Sequence, residues 1–407
     1  MSTMGPNLLP GLETGPSDYY VVGVADRAMA LLDETSSVGF RAIVELRGDV
    51  DTTALSEAWT RLAAVHPILT CVRHGGTWEP TGLPPSGEDV GQPGHHQPPV
   101  TLQVTTQSKG VRLTMYCNHV AFDGVASLIL LGDLRDEYHA ALGLGRSRDP
   151  DWSPRTLEAL PLRTDWRTAA AAVARGASAF WKSPVSTHVD PGLEGEEPAE
   201  DHAILEIGPV LEALTPSRHK YHWSVDAVLV GIMEKAWSEV FGPPSAESTW
   251  LVARDLRPWL GVTRGMGNLS FAAGVSIPDP ESALRTVIDQ AEAALVSESR
   301  DLAMAGTAPR GWRPVERISF AQMLKRSKRL RAYRSVSNVG QIGDSLDRWG
   351  SASLKKVWFV GPLAHPPYNS FIAAGHGPST LMSVRTSSDW LTAEDARALE
   401  KALLSLV

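Results

Sequence analysis

At 407 residues the chain is long enough for two domains or one large two-lobed unit, each half able to bury a core of its own. Its composition, 43% hydrophobic and 21% charged with a formal net charge of -8, is that of a soluble globular protein and argues against nucleic acid as a partner. The first twenty residues lack the basic and apolar regions of a secretory signal, and no apolar run approaches the roughly 20 residues that a membrane span needs. With its two cysteines, Cys71 and Cys117, in apolar strand-like runs, the expectation is a cytoplasmic protein with buried thiols and no membrane association.

In chain order, the patterning predicts a strand over 38–48, a helix over 51–66 with Thr52 or Thr53 near its cap, and a strand over 68–73. A polar loop rich in glycine and proline follows over 81–99, then strands over 100–106 and 111–118 and a long helix after Gly124. The stretch 144–202 reads as a connection holding one helix near 166–182. The second half opens with a strand over 203–207 and a helix, SVDAVLVGIMEKAWSEVFG, between a Ser224 cap and Gly242. STWLVARDLRP and NLSFAAGVSI read as strands, 280–299 as a helix, and SVSNVGQIGD, KVWFV, NSFIAA and TLMSVRTS as further strands before a closing helix begun by Thr392. Both halves mix helices and strands alike. The expectation is an α/β protein of two lobes with a cleft between them, residues 1–180 and 181–407. No cysteine–histidine cluster has metal-ligand spacing, so no metal is expected.

The stretch CNHVAFDGVAS, residues 117–127, stands out. Val111, Leu113, Met115, Cys117 and His119 alternate onto one side, whereas Leu128, Leu131, Leu134, Tyr138 and Leu142 follow helical spacing. His119 thus ends a core-facing strand, and Asp123 and Gly124 stand where the helix begins. A histidine at such a corner is by itself most simply a core residue, with Asp123 as the helix cap.

NHVAFDG resembles the HxxxDG signature of the acyltransferases that include chloramphenicol acetyltransferase, the condensation domains of nonribosomal peptide synthetases and stand-alone polyketide-associated acyltransferases. ALSEAWTRLAAVHPILTCVR, SVDAVLVGIMEKAW, ARDLRP, MGNLSF and SNVGQIGD resemble other segments of condensation domains in the right order, so the resemblance covers most of the chain. It implies a two-lobed chloramphenicol-acetyltransferase-like fold. It also implies transfer of an acyl group from a pantetheine thioester, on coenzyme A or an acyl or peptidyl carrier protein, to a small-molecule amine or hydroxyl in natural-product biosynthesis. No bound cofactor is implied. By the family's pattern His119 is the base and Asp123 a structural residue paired with an arginine. The backbone N–H of Gly124 faces the developing oxyanion, and Ser337 or Asn338 is the candidate second donor across the cleft.

The sequence departs from the pattern twice. Condensation domains usually carry a second histidine where this chain has Asn118, and their arginine partner of the aspartate tends to lie in a segment matching 65–70. With Val65 and Thr70 in the expected places, Arg73 and Arg41 are the substitutes to consider. Cys117, on the same strand face as His119, is a conceivable nucleophile but reads better as packing, and His365 and His376 read as loop residues near the cleft or surface. Residues 310–334 hold nine basic side chains against one acid, Glu316. Such a run suits an acidic carrier protein or the phosphates of coenzyme A, with Lys325, Arg326, Lys328 and Arg329 as donor-docking residues. Two other readings use the same fold: a non-catalytic module that binds a carrier protein or recruits a partner enzyme, and an enzyme that uses the histidine for elimination or cyclisation of a tethered intermediate.

Overall fold

The computed structural model describes residues 19–33, 38–81, 97–153, 155–156, 202–243, 248–262, 264–306, 333–362, 368–386 and 391–407. The helix expected near 166–182, most of the 81–99 loop, His365 and the basic run up to residue 332 lie outside them. Among the described residues, no helix is long and apolar enough to cross a membrane.

The first half begins with α1 (Val24–Asp33), β1 (Phe40–Arg47) and α2 (Thr52–Val65). Asp51, rather than either threonine, caps α2, its carboxylate accepting from the N–H groups of Thr53 and Ala54 at 2.9 and 3.0 Å. The strand expected over 68–73 is shorter: Pro67–Thr70 is a 3-10 turn, and only β2 (Cys71–His74) is extended, pairing with β3 (Thr77–Pro80). Proline at the first helical position favours that turn over a strand start. Then come β4 (Val100–Gln107), β5 (Gly110–Cys117) and α3 (Gly124–Ala141).

The second half supplies β6 (Ala203–Glu206), α4 (Gly208–Tyr221), α5 (Val225–Phe241), β7 (Ser248–Asp255), the short α6 (Arg257–Leu260), β8 (Ser270–Ile277) and α7 (Leu284–Gly306). It ends with β9 (Tyr333–Ile342), β10 (Arg348–Trp349), β11 (Ala352–Val360), β12 (Tyr368–His376), β13 (Ser379–Thr386) and α8 (Ala393–Leu404). Thr392 caps α8 in a reciprocal capping box with Asp395. The unexpected α4 carries Pro216 within it, which masks its helical pattern.

Two main sheets result, and the chain does not divide between them at residue 180. The first has the order β10-β11-β1-β5-β4, so a hairpin from the second half pairs with β1 of the first, Val360 opposite Arg41 and Val357 opposite Val44. The expected 181–407 lobe therefore lends residues 348–360 to the other sheet. An open edge of β1 with an apolar face is completed more favourably by a paired strand than by water. The second sheet runs β6-β13-β12-β9-β7-β8, with β9 parallel to both its neighbours.

Each sheet has its own core. Ala42, Val44, Leu113 and Met115 pack with Leu55, Leu62, Leu130 and Leu134 of α2 and α3, while Trp250, Val252 and Val336 pack with α5, α7 and α8. The sheets meet where Ile43, Trp358 and Val360 touch Leu381 and Ile204. The first core also takes in Met266, Val339, Ile342 and Ile372 from the second half, so the seam is apolar and closely packed.

Candidate active site

The strand carrying the motif stops at Cys117, one pair short of the histidine. Asn118 then turns the chain: its side-chain oxygen accepts from Val120 N at 2.8 Å, and its carbonyl accepts from the N–H groups of Ala121 and Phe122. The residue standing in place of a second histidine is thus a turn-forming residue, for which asparagine's short amide is suited. His119 opens the turn with its ring edge-on to Phe40, centroids 5.2 Å apart. It keeps partial exposure while its neighbours Cys117, Val120, Ala121 and Phe122 are buried.

Asp123 caps α3 and is 2% exposed. One oxygen accepts from Ala126 N at 2.8 Å, the other from Leu269 N at 2.9 Å, and the Arg257 guanidinium donates to both at 3.0 Å. Arg257, itself 3% exposed, also donates to Asp255 and to the carbonyls of Gly265 and Gly267. The arginine partner is therefore neither Arg73 nor Arg41 but a residue 134 positions away, inside ARDLRP. Two ions removed from water are tolerable when every lone pair and N–H is matched, as here.

The backbone of the turn is held from outside. Asn268 donates to the carbonyls of His119 and Val120 at 2.8 and 3.0 Å, and the buried Arg155 donates to those of Ala121, Tyr19 and Met266. Arg155 also lies over the rings of Tyr19 and Trp78, 5.4 and 5.7 Å from their centroids. Gly267 permits this approach, since a Cβ there would fall 1.9 Å from the Arg155 carbonyl oxygen. Asn268, Arg155 and Arg257 escape sequence reading because each reaches its partner only through the fold. MGNLSF and ARDLRP were the only signals that could have drawn attention to two of them.

Burial pushes the His119 pKa below that of an ordinary imidazole, against the raising effects of its own backbone, Asp123 and Asn268. The ring is therefore neutral near pH 7. Cys117 is 0% exposed, and burial pushes its thiol far up, so it stays protonated and cannot serve as the nucleophile. Gly124 is the first residue of α3, and its N–H is one of the leading amides without an intrahelical acceptor. A Cβ at Gly124 would come within 3.3 Å of Val339, which brings β9 against the start of the helix.

Ser337 and Asn338, adjacent on β9, do not act as alternatives, because they lie on opposite faces of the sheet. Ser337 is paired with Ile372, which belongs to the first core, so its side chain is turned toward the first sheet. Asn338 faces α5, donating to Asp226 at 3.1 Å and accepting from Gly340 N at 2.9 Å. His376 is paired with Asp347 at 2.6 Å. Lys325, Arg326, Lys328 and Arg329 lie outside the described residues.

Among the described residues, His66, Asp133 and Asp151 bring ligand atoms within 4.8 Å of one another. Arginines already fill that cluster: Arg264 contacts both aspartates, and Arg148 reaches Asp133 at 3.2 Å. With His66 on Asp133 at 2.7 Å, the group is an ion network tying α3 to the loop before β8, not a metal site.

No family model matches the chain, and no curated protein matches its sequence. Solved structures do. Polyketide synthase associated protein 5 from Mycobacterium tuberculosis superposes with a TM-score of 0.69 at 15% identity, over 96% of this chain and 98% of its own. The trichothecene 15-O-acetyltransferase TRI3 from Fusarium sporotrichioides gives 0.70 at 12% identity, over 100% and 99%. The first condensation domain of the CDA synthetase gives 0.62 at 13% identity, over 95% of each chain. The fold is that of the condensation domains. The epimerization domain from the third module of tyrocidine synthetase B also superposes on this chain, with a TM-score of 0.61 at 14% identity over 95% of this chain and 97% of its own, so the fold accommodates more than one reaction.

Proposed function

We propose that the protein is an acyltransferase that moves an acyl group from a pantetheine thioester to an amine or hydroxyl acceptor, with His119 as the base. The observation that carries this reading is the full engagement of Asp123 by Arg257, Ala126 N and Leu269 N. A carboxylate so occupied positions the corner and takes no part in proton transfer, which leaves the neutral, partly exposed imidazole beside it as the group able to accept a proton.

The acceptor's N–H or O–H gives its proton to the imidazole as its nitrogen or oxygen bonds to the thioester carbon. The resulting oxyanion is stabilised by the Gly124 N–H at the positive end of α3, with the Ser337 hydroxyl as the second donor. Collapse breaks the carbon–sulfur bond, and the imidazolium returns the proton to the departing thiolate. The product is an amide or ester, and the histidine is regenerated. The condensation-domain neighbours support a carrier-bound donor, and the basic run over 310–334, with Lys325, Arg326, Lys328 and Arg329 in it, suits an acidic carrier protein better than free coenzyme A, because its charge is distributed along the stretch.

The test is thiol release and acceptor mass with a panel of acyl-coenzyme A and acyl-carrier donors. His119→Ala should lower the rate on the order of 10²- to 10⁴-fold with an unchanged melting temperature. Full turnover by this variant would remove His119 from the mechanism. The epimerization-domain neighbour keeps a second use of the histidine in view, proton movement on a tethered intermediate. In that case the acceptor would gain no acyl mass.

A further inference from the structure

The β10–β11 hairpin, by which the second half completes the first sheet, turns at Gly350 and Ser351, and its tip lies on the last turn of α3. Trp349 is 0% exposed with its ring 6.0 Å from that of Tyr138, and a Cβ at Gly350, whose φ is +60°, would fall 2.8 Å from Leu142 Cδ1. Only a bare backbone fits so close to the helix. That approach brings the Gly350 N–H to Nε2 of His139, 3.0 Å away.

A backbone N–H can only donate, so Nε2 accepts and the neutral ring carries its hydrogen on Nδ1. A protonated ring has an N–H at both nitrogens, and one of them would then face the N–H of Gly350. The position makes opposite demands on the ring. At the C-terminal end of a helix a histidine is favoured charged, whereas this contact requires it neutral. Burial and then Arg135 push the His139 pKa down, against the raising effects of Asp136 and of the hydrogen bond to the Arg348 backbone. Asp136 is itself matched by two guanidinium groups, Arg135 at 2.9 Å and Arg148 at 2.8 Å. On the hairpin the Arg348 side chain is exposed, and Asp347 is held by His376 at 2.6 Å, a contact that a protonated His376 keeps. On the loop after β1, Asp49 and Asp51 meet the hairpin and α3 through their backbones, at Ser351 Oγ and the Tyr138 hydroxyl, both 3.0 Å away.

We propose that His139 is a proton-sensitive clasp: neutral, it holds the tip of the hairpin on α3 through the Gly350 N–H, and protonated, it releases the tip while the pairing of β11 with β1 keeps the base in place. Acid then loosens one open edge of the first sheet. The clasp works whether or not the protein transfers acyl groups.

Gly350 follows Trp349 in the only Trp–Gly step of the sequence, so carbonyl-¹³C tryptophan with ¹⁵N glycine gives its amide a signal of its own. The experiment follows solvent exchange of that amide in the full chain between about pH 8 and about pH 5, either side of the ordinary imidazole value, corrected for the intrinsic pH dependence of exchange. The His139 ring, assigned by the signals lost in His139→Gln, is titrated alongside by ¹⁵N NMR. Above its midpoint the ring should carry its hydrogen on Nδ1. As it protonates, the protection of Gly350 should fall about 10-fold, the equivalent of one hydrogen bond. In His139→Gln, whose side-chain oxygen accepts throughout this range, protection should stay constant. A neutral ring with its hydrogen on Nε2 overturns the proposal, as does protection that is constant across the His139 titration or that falls equally in the glutamine variant. Should that variant not fold, the wild-type tautomer and the coincidence of the two midpoints decide.

Discussion

Two buried carboxylate–arginine pairs in this molecule are almost the same physical object, yet only one adjoins the candidate chemistry. Asp123 and Arg257 are 2% and 3% exposed, and Glu234 and Arg334 are 0% and 8%. Glu234 accepts from Ser248 at 2.6 Å, Trp250 at 2.7 Å and Arg334 at 3.1 Å, joining α5 to β7 and β9 within the second core. Asp123 instead joins the histidine-bearing turn of one half to the loop after β7 in the other. Both are holding devices. What differs is the load, since one fixes a partly exposed imidazole at a seam and the other fixes core strands.

The largest separation between the pairs should come from Asp123→Ala. It strands a buried guanidinium and should cost about 3–5 kcal/mol of stability while also lowering the rate of the folded protein, because the turn loses its anchor. Denaturant unfolding together with turnover per folded molecule checks this. Unchanged stability with lost rate would give Asp123 a direct chemical role. Glu234→Gln keeps the shape of its site but removes the charge facing Arg334, and should cost about 2 kcal/mol with turnover per folded molecule unaltered. A large loss of rate there would erase the distinction drawn between the two centres.

The smallest expected effect is in the pH dependence. Because burial depresses the His119 pKa, the unfolded chain binds the proton more readily than the native one, so stability falls as pH drops below about 6.5, the ordinary imidazole value. The same depression keeps the base unprotonated further into acid, so the acid limb of kcat/KM should lie below about 6.5. A limb at or above that value would mean that another group controls the rate.

Much of the molecule was legible in the sequence because the signals act over a few residues. Alternation marked β5, apolar spacing marked α3 and α5, and hydroxyl or carboxyl caps marked the helix starts at Ser224 and Thr392. The histidine corner was legible for the same reason: strand, turn and helix pack into the residues between Gly110 and Ala141. One local preference misled. The apolar, β-branched Ile68–Thr70 stretch reads as strand, but Pro67 and its neighbours form a 3-10 turn.

By itself, then, the sequence determined most of the elements, the caps at Ser224 and Thr392 and the identity of the candidate base, all set by sterics and hydrogen bonds between near neighbours. Tertiary structure alone decided what holds that base. Arg257, Asn268 and Arg155 reach the turn because β7, β8 and the connecting chain at 155–156 pack against it, and the β10–β11 hairpin closes the first sheet from far along the chain. Such contacts carry no periodicity. A guanidinium finds its carboxylate through the shape of two packed halves, and spacing along the chain does not encode that shape.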